Sequence, residues 1–242
     1  MQTIGVIGGM SWESSALYYR LINELVRDRL GGLHSAKILM ASVDFAEISE
    51  LQRSGDWDLA GVLLSAEATR LEAAGADFIV LCTNTMHKVA PAIESATTIP
   101  MLHLADVAAE AIIDRGISRV GLLGTAFTME QDYYKDRLAS HGIEVLIPGP
   151  DQRATVHRVI YEELVLGIVL ESSRAEYRGI MADLAARGAE GIILGCTEIE
   201  LLVGETDTPL PTFPTTRLHA EAAVRRALST GEELAPTRVS ST

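Results

Sequence analysis

Apolar, β-branched runs of about four to seven residues recur along the chain, separated by longer segments whose apolar positions return every three or four residues. This alternation predicts an α/β protein with a mostly parallel sheet. The runs are TIGVIG (3–8), KILMASV (37–43), DFIVLC (77–82), RVGLLG (119–124), IEVLIP (143–148) and GIILGC (191–196). Several are apolar throughout, as strands covered by helices on both faces should be. Between them the spacing predicts helices over 14–30, closed by Gly31 and Gly32, and over 58–75, closed by Gly75. A last helix is expected over TTRLHAEAAVRRALS (215–229), and the period-free TGEELAPTRVSST after it is expected to be a mobile tail.

The pattern repeats itself. IGVIGGMSWE (4–13) resembles VGLLGTAFTME (120–130), both apolar strands that run into glycine and a residue able to start a helix. Aligning Gly5 with Gly121 gives an offset of 116, and aligning Cys82 with Cys196 gives 114. AAGADFIVLCTNT matches ARGAEGIILGCTE almost position by position when Gly195 is read as an insertion. Two copies of one α/β unit account for these near-equal offsets.

Composition narrows the function. At 242 residues the chain can bury roughly 70% of its unfolded surface, and 48% hydrophobic with 22% charged residues is the balance of a globular protein. No apolar run reaches the ~18 residues of a membrane span. The opening MQTIGVIGGM lacks a signal peptide's basic flank and cleavage site, so a cytoplasmic protein is expected. A net charge of −13 disfavours nucleic acid and anionic membranes, leaving a small molecule as the expected partner. Two cysteines make no disulfide framework in a reducing compartment. Lysine is confined to Lys37, Lys88 and Lys135, none in a Schiff-base motif, so no cofactor is expected.

Each cysteine ends a predicted strand and is followed by helix-starting residues. Ligands of open α/β sheets bind beyond the carboxyl ends of the strands, where free N–H groups and the helix dipole favour a carboxylate or a thiolate. If the two copies face each other, Cys82 and Cys196 flank one ligand. Inversion at a carbon bearing an acidic hydrogen uses such a pair: one base removes the proton and a conjugate acid returns it to the other face. Thr83, Asn84, Thr85 and Thr197 would donate to the charged intermediate. Three alternatives stand beside this reading: thiols that only pack in the core, a metal held by Cys82, Cys196 and His87, and a cysteine hydrolase using one thiol. IGVIGGMSW lacks the GxGxxG spacing of a dinucleotide site.

GVIGGMSWES, HSAKILMASVDF, LCTNTMHKVA and GCTEI, in this order, closely resemble the aspartate/glutamate racemase superfamily, in particular its cofactor-independent amino-acid racemases. The likeness runs from residue 2 to about 229. It implies two pseudo-symmetric Rossmann-like domains with mostly parallel sheets, residues 1–103 with 214–242 and residues 104–213, and an active site in the cleft between them. It implies Cys82 and Cys196 as the acid/base pair, Met10 and Ser11 on the substrate loop, and Gln52 with Arg53 as substrate-side contacts. Thr83, Asn84, Thr85 and Thr197 would hold the α-carboxylate and amine of a small-molecule amino acid, and a homodimer is expected.

Two departures matter. Glutamate racemases carry histidine after the second Cys-Thr, where this chain has Glu198; their first motif reads Cys-Asn-Thr, where here Thr83 intervenes. Glu198 is therefore a candidate for handling the Cys196 proton, against a role in the helix dipole alone. Aspartate is the first expected substrate and glutamate the second, with an uncharged amino acid such as homoserine also open. Arg53, Arg153 and Arg158 are the candidate anchors for an acidic side chain, and His87, His103 and His219 are expected to be structural. A maleate-isomerase-like or hydantoin-racemase-like enzyme, or a silent small-molecule binding protein, remains an alternative.

Overall fold

Residues 1–229 are described in the computed structural model, and the tail expected to be mobile lies outside them. Each of the six apolar runs forms a strand. β1 (Ile4–Gly8), β2 (Ile38–Ser42), β3 (Phe78–Leu81) and β4 (Met101–Leu102) make one parallel sheet in the order β2-β1-β3-β4. β5 (Arg119–Leu123), β6 (Glu144–Leu146), β7 (Gly191–Leu194) and β8 (Thr212–Pro214) make the other in the order β6-β5-β7-β8. The short edge strands β4 and β8 add to the expected set.

The helices follow the same duplication. In the first half, α1 (Trp12–Leu30) follows β1, and α2 (Phe45–Ser54) and α3 (Trp57–Ala73) join β2 to β3. A 3-10 turn (Thr85–Val89) and α4 (Ala90–Ala96) then lead to β4, and α5 (Leu104–Ile113) closes the copy. In the second half, α6 (Ala126–Glu130) and α7 (Asp132–Ser140) stand where α1 does, and α8 (Pro150–Glu162) and α9 (Glu171–Ala186) join β6 to β7 through a 3-10 turn at Leu164–Leu166. α10 (Ile199–Leu202) precedes β8, and α11 (Thr215–Leu228) closes the copy. Side-chain oxygens start α1, α2 and α3: Ser11 accepts from the Ser14 N–H at 3.2 Å, and Asp44 and Asp56 do the same for α2 and α3.

Register settles how the copies correspond. Ile7 pairs with Leu81, and Leu123 pairs with Leu194, so Leu81 and Leu194 are equivalent strand ends. Gly75 and Gly188, both at left-handed φ (97° and 98°), open these strands at the same spacing. The next residue also matches, because the Cys82 N–H donates to the Ile7 carbonyl at 2.9 Å and the Gly195 N–H to the Leu123 carbonyl at 2.7 Å. Gly195 is thus not an insertion. Cys82 corresponds to Gly195, and Thr83 to Cys196, which corrects the alignment that matched the two cysteines.

The core lies on both faces of each sheet. Ile48, Leu64, Leu71, Ile79, Leu81 and Ile93 pack on one face of the first sheet, and Ile4, Val6, Tyr18, Ile22 and Phe78 on the other. Each such fully buried side chain contributes about 1.5–3 kcal/mol. The closing helices are exchanged. Leu104, Ala105, Ala109 and Ile112 of α5 sit in the core of the second sheet, whereas Ala220, Ala223, Val224 and Ala227 of α11 sit in that of the first. No helix among the described residues is long and apolar enough to cross a membrane.

Candidate active site

The carboxyl ends of the central strands of both sheets open on one cavity of about 150 Å³. From the first half its wall takes Met10, Ser11 and Ser14 after β1, Phe45 and Gln52 of α2, and Thr83, Asn84 and Thr85 after β3. The second half supplies Thr125 after β5, Ile160, Tyr161 and Val165, and the Gly195–Glu198 turn after β7. Met10, Ser11, Gln52, Thr83, Asn84, Thr85, Cys196, Thr197 and Glu198 therefore share one wall.

Two expected residues do not. Cys82 has no solvent exposure and packs with Ile4, Val6, Tyr18 and Phe78 behind the cavity wall. Burial pushes its thiol well up, because an apolar setting disfavours the charged thiolate. The register explains this: a strand residue and its successor point to opposite sides, so Thr83 takes the wall position that Cys196 takes in the other half. Arg53 is the second. It follows Gln52 on α2, so its side chain is turned by about 100° from the cavity. That side chain is 78% exposed and pairs with Glu50. Arg153 and Arg158 are likewise engaged elsewhere, with Glu130 and with Glu163 and Glu176. The described wall carries no Arg, Lys or His.

A belt of hydroxyls crosses the cavity from half to half. Ser14 Oγ and Thr197 Oγ1 share a hydrogen bond of 3.0 Å, Thr197 continues to Thr216 Oγ1 at 3.0 Å, and Thr85 Oγ1 lies 3.5 Å from Thr125 Oγ1. The Asn84 amide donates to Thr215 Oγ1 at 3.1 Å, which donates in turn to the Leu194 carbonyl at 3.0 Å. That leaves the buried Asn84 Oδ1 with no partner among the described residues, an acceptor available to an ammonium group. Gln52 is oriented by its Nε2, which lies 3.0 Å from Met86 Sδ.

The acid/base chemistry centres on Cys196. Its Sγ–H donates to Glu198 Oε2 at 2.8 Å. Burial, then the Glu198 charge and this hydrogen bond, push the thiol well above its usual value. Burial, then the charges of Cys196 and Glu198, also raise the Tyr161 hydroxyl. On the opposite wall the Thr83 hydroxyl makes no hydrogen bond among the described residues. Sequence reasoning missed Ser14, Phe45, Thr125, Ile160, Tyr161 and Val165. Of these only Thr125 carried a usable signal, since it occupies in the second copy the loop that follows β1 in the first. Residues His87, Cys82 and Cys196 do not assemble a metal site: no cluster of three His, Cys, Asp or Glu suited to a metal occurs among the described residues.

The sequence profile of the Asp/Glu/hydantoin racemase family matches residues 7–223. The chain belongs to this family. Among family structures, one from Yersinia pestis, provisionally assigned as an Asp/Glu racemase, is 55% identical, with a TM-score of 0.91 over 95% of this chain and 100% of that one. An aspartate racemase homologue from Pyrococcus horikoshii OT3 is 32% identical, with a TM-score of 0.84 over 94% of this chain and 99% of that one. The broad specificity amino-acid racemase RacX of Bacillus subtilis (strain 168) is 25% identical over 67% of this chain and 70% of that protein. Family and relatives together support an amino-acid racemase.

Proposed function

We propose that the protein racemises free amino acids without a cofactor, with Cys196 working on one face of the α-carbon and Thr83 on the other. The observation that carries this reading is that equivalent positions of the two copies, Thr83 and Cys196, line one cavity while Cys82 does not. Cys196, having passed its proton to Glu198, removes the α-proton. The C–H electron pair moves onto the substrate carboxylate as a planar enediolate, stabilised by hydroxyl donors such as Ser14, Thr85 and Thr197. The Thr83 hydroxyl then delivers a proton to the opposite face and regains one from solvent, while Glu198 releases to solvent the proton it took, which returns the site to its starting state. The reverse reaction follows the same path backwards. Asn84 Oδ1 accepts from the substrate ammonium throughout.

The names of the relatives point to aspartate and glutamate as the first substrates to try. A broader specificity that includes uncharged side chains is favoured by the cation-free wall, where Met10, Phe45, Ile160 and Val165 offer apolar contact. Incubation in D₂O with L-aspartate, L-glutamate and neutral amino acids tests both readings through Cα deuteration and loss of optical purity. Cys196→Ala is expected to abolish both signals. Thr83→Ala is expected to keep deuteration with retained configuration, because Cys196 alone still exchanges one face. Folded Cys82→Ala protein that has lost turnover would restore the two-thiol pair and remove Thr83 from the mechanism.

A further inference from the structure

The motif LCTNTMHK contains a histidine that the chemistry above leaves unused. His87 is 2% exposed, and its ring is wedged behind the turn that carries Thr83. Nδ1 lies 2.7 Å from the Thr83 carbonyl oxygen, which can only accept, so Nδ1 carries the proton. Nε2 lies 3.2 Å from the Leu104 N–H, which can only donate, so Nε2 is bare. One neutral tautomer satisfies both contacts. These contacts join different halves of the molecule, because Thr83 follows the central strand of the first sheet, whereas Leu104 starts α5 and packs in the core of the second.

Two more histidines surround it. The His103 ring is 4.7 Å and the His219 ring 6.0 Å from that of His87. His103 Nδ1 accepts from the Ala105 N–H at 3.2 Å, capping α5. His219 Nε2 donates to the Leu102 carbonyl at 2.8 Å and its Nδ1 accepts from the Tyr18 hydroxyl at 3.0 Å. The nearby charges are engaged with one another, since Asp106 is held by Arg137 at 2.6 Å and by His141 at 2.9 Å. No carboxylate among the described residues is left to stabilise a positive ring at His87.

We propose that His87 is a positioning residue that fixes the Thr83 hydroxyl opposite Cys196 by clamping the Thr83 carbonyl to the start of α5. The proposal rests on the racemase reading for its kinetic consequences but not for its geometry. Burial, then the neighbouring His103 and His219, keep the ring neutral, in agreement with the contacts it makes.

Two measurements test it. Long-range ¹H–¹⁵N correlation of the wild-type protein is expected to show the neutral Nδ1–H tautomer of His87 both above and below about pH 6.5; an Nε2–H tautomer, or protonation near the ordinary value of about 6.5, would overturn it. In kinetics, His87→Leu is expected to lower kcat for racemisation about ten- to a hundredfold with little change in KM. His87→Asn, which keeps an N–H in reach of the Thr83 carbonyl, is expected to recover most of that loss. In a Thr83→Ala background the same His87→Leu change is expected to leave Cα deuteration by Cys196 unaltered. Equal losses in both backgrounds, or an Asn variant as slow as the Leu variant, would reduce His87 to a core residue. If the wild-type protein racemises no amino acid, the functional reading fails and the tautomer alone decides the clamp.

Discussion

Removing the negative charge beside Cys196 should make its thiol more acidic and its racemisation slower. In Glu198→Gln the side chain keeps its size and loses its charge. Thiolate and carboxylate at the observed 2.8 Å separation would repel by roughly 6 kcal/mol at an effective dielectric of about 20. Water at the cavity mouth screens this repulsion, so it is an upper bound, and the thiol is expected to become more acidic in the variant. The sign follows from the folded protein, where Glu198 raises the Cys196 thiol. The assay is the rate of iodoacetamide alkylation of Cys196 against pH, followed by peptide mass spectrometry, in wild type and variant. The midpoint should move down in the variant, while kcat for racemisation falls by about 10²-fold or more because the thiol has lost its proton acceptor. An unchanged or higher midpoint would refute the Cys196–Glu198 coupling.

Cys82→Ala should keep full turnover and cost about 1 kcal/mol of stability by urea denaturation, since a small apolar group leaves a well-packed core. Native alkylation should modify Cys196 alone, with Cys82 reacting only after unfolding. Arg53→Ala should leave KM for every substrate unchanged and shift stability by less than about 0.5 kcal/mol, because an exposed ion pair with Glu50 contributes little. His219 is buried and held down at about 4. The unfolded chain therefore binds a proton that the folded one refuses as pH falls from about 6.5 towards 4. Stability from this residue is full above that window, and its share of the loss between pH 7 and pH 5 is about 2 kcal/mol; His103 and His87, lowered in the same direction, add to it, so chemical denaturation at pH 5 should show at least that much less than at pH 7.

Much of this architecture was legible in the order of residues. Long apolar runs such as DFIVLC and GIILGC could only be buried strands, and the glycines that follow the helices marked their ends. β4 and β8 were not, because two or three residues beside prolines, in TTIPMLH and LPTFP, carry no period of their own and pair only where a sheet already exists. In the site, the motif glycines and threonines announced a ligand loop, and Gln52 was found with it. The one-residue misalignment of the cysteines arose because identity of residue type was allowed to outweigh register. A strand's side chains alternate, so a shift of one position exchanges core for cavity. Ile160, Tyr161 and Val165 belong to a segment that only tertiary packing brings to the wall.

The exchange of closing helices has a consequence for how the chain reaches its native state. Until residues 215–228 leave the ribosome, the face of the first sheet built from Ile4, Val6 and Phe78 has only Tyr18, Ile22 and Val26 of α1 over it, and the part that Ala220, Ala223, Val224 and Ala227 cover stays open. The amino-terminal half therefore waits, exposed, for the last stretch to be synthesised, and a cut between α5 and β5 should yield two fragments that are sticky apart and soluble only when mixed.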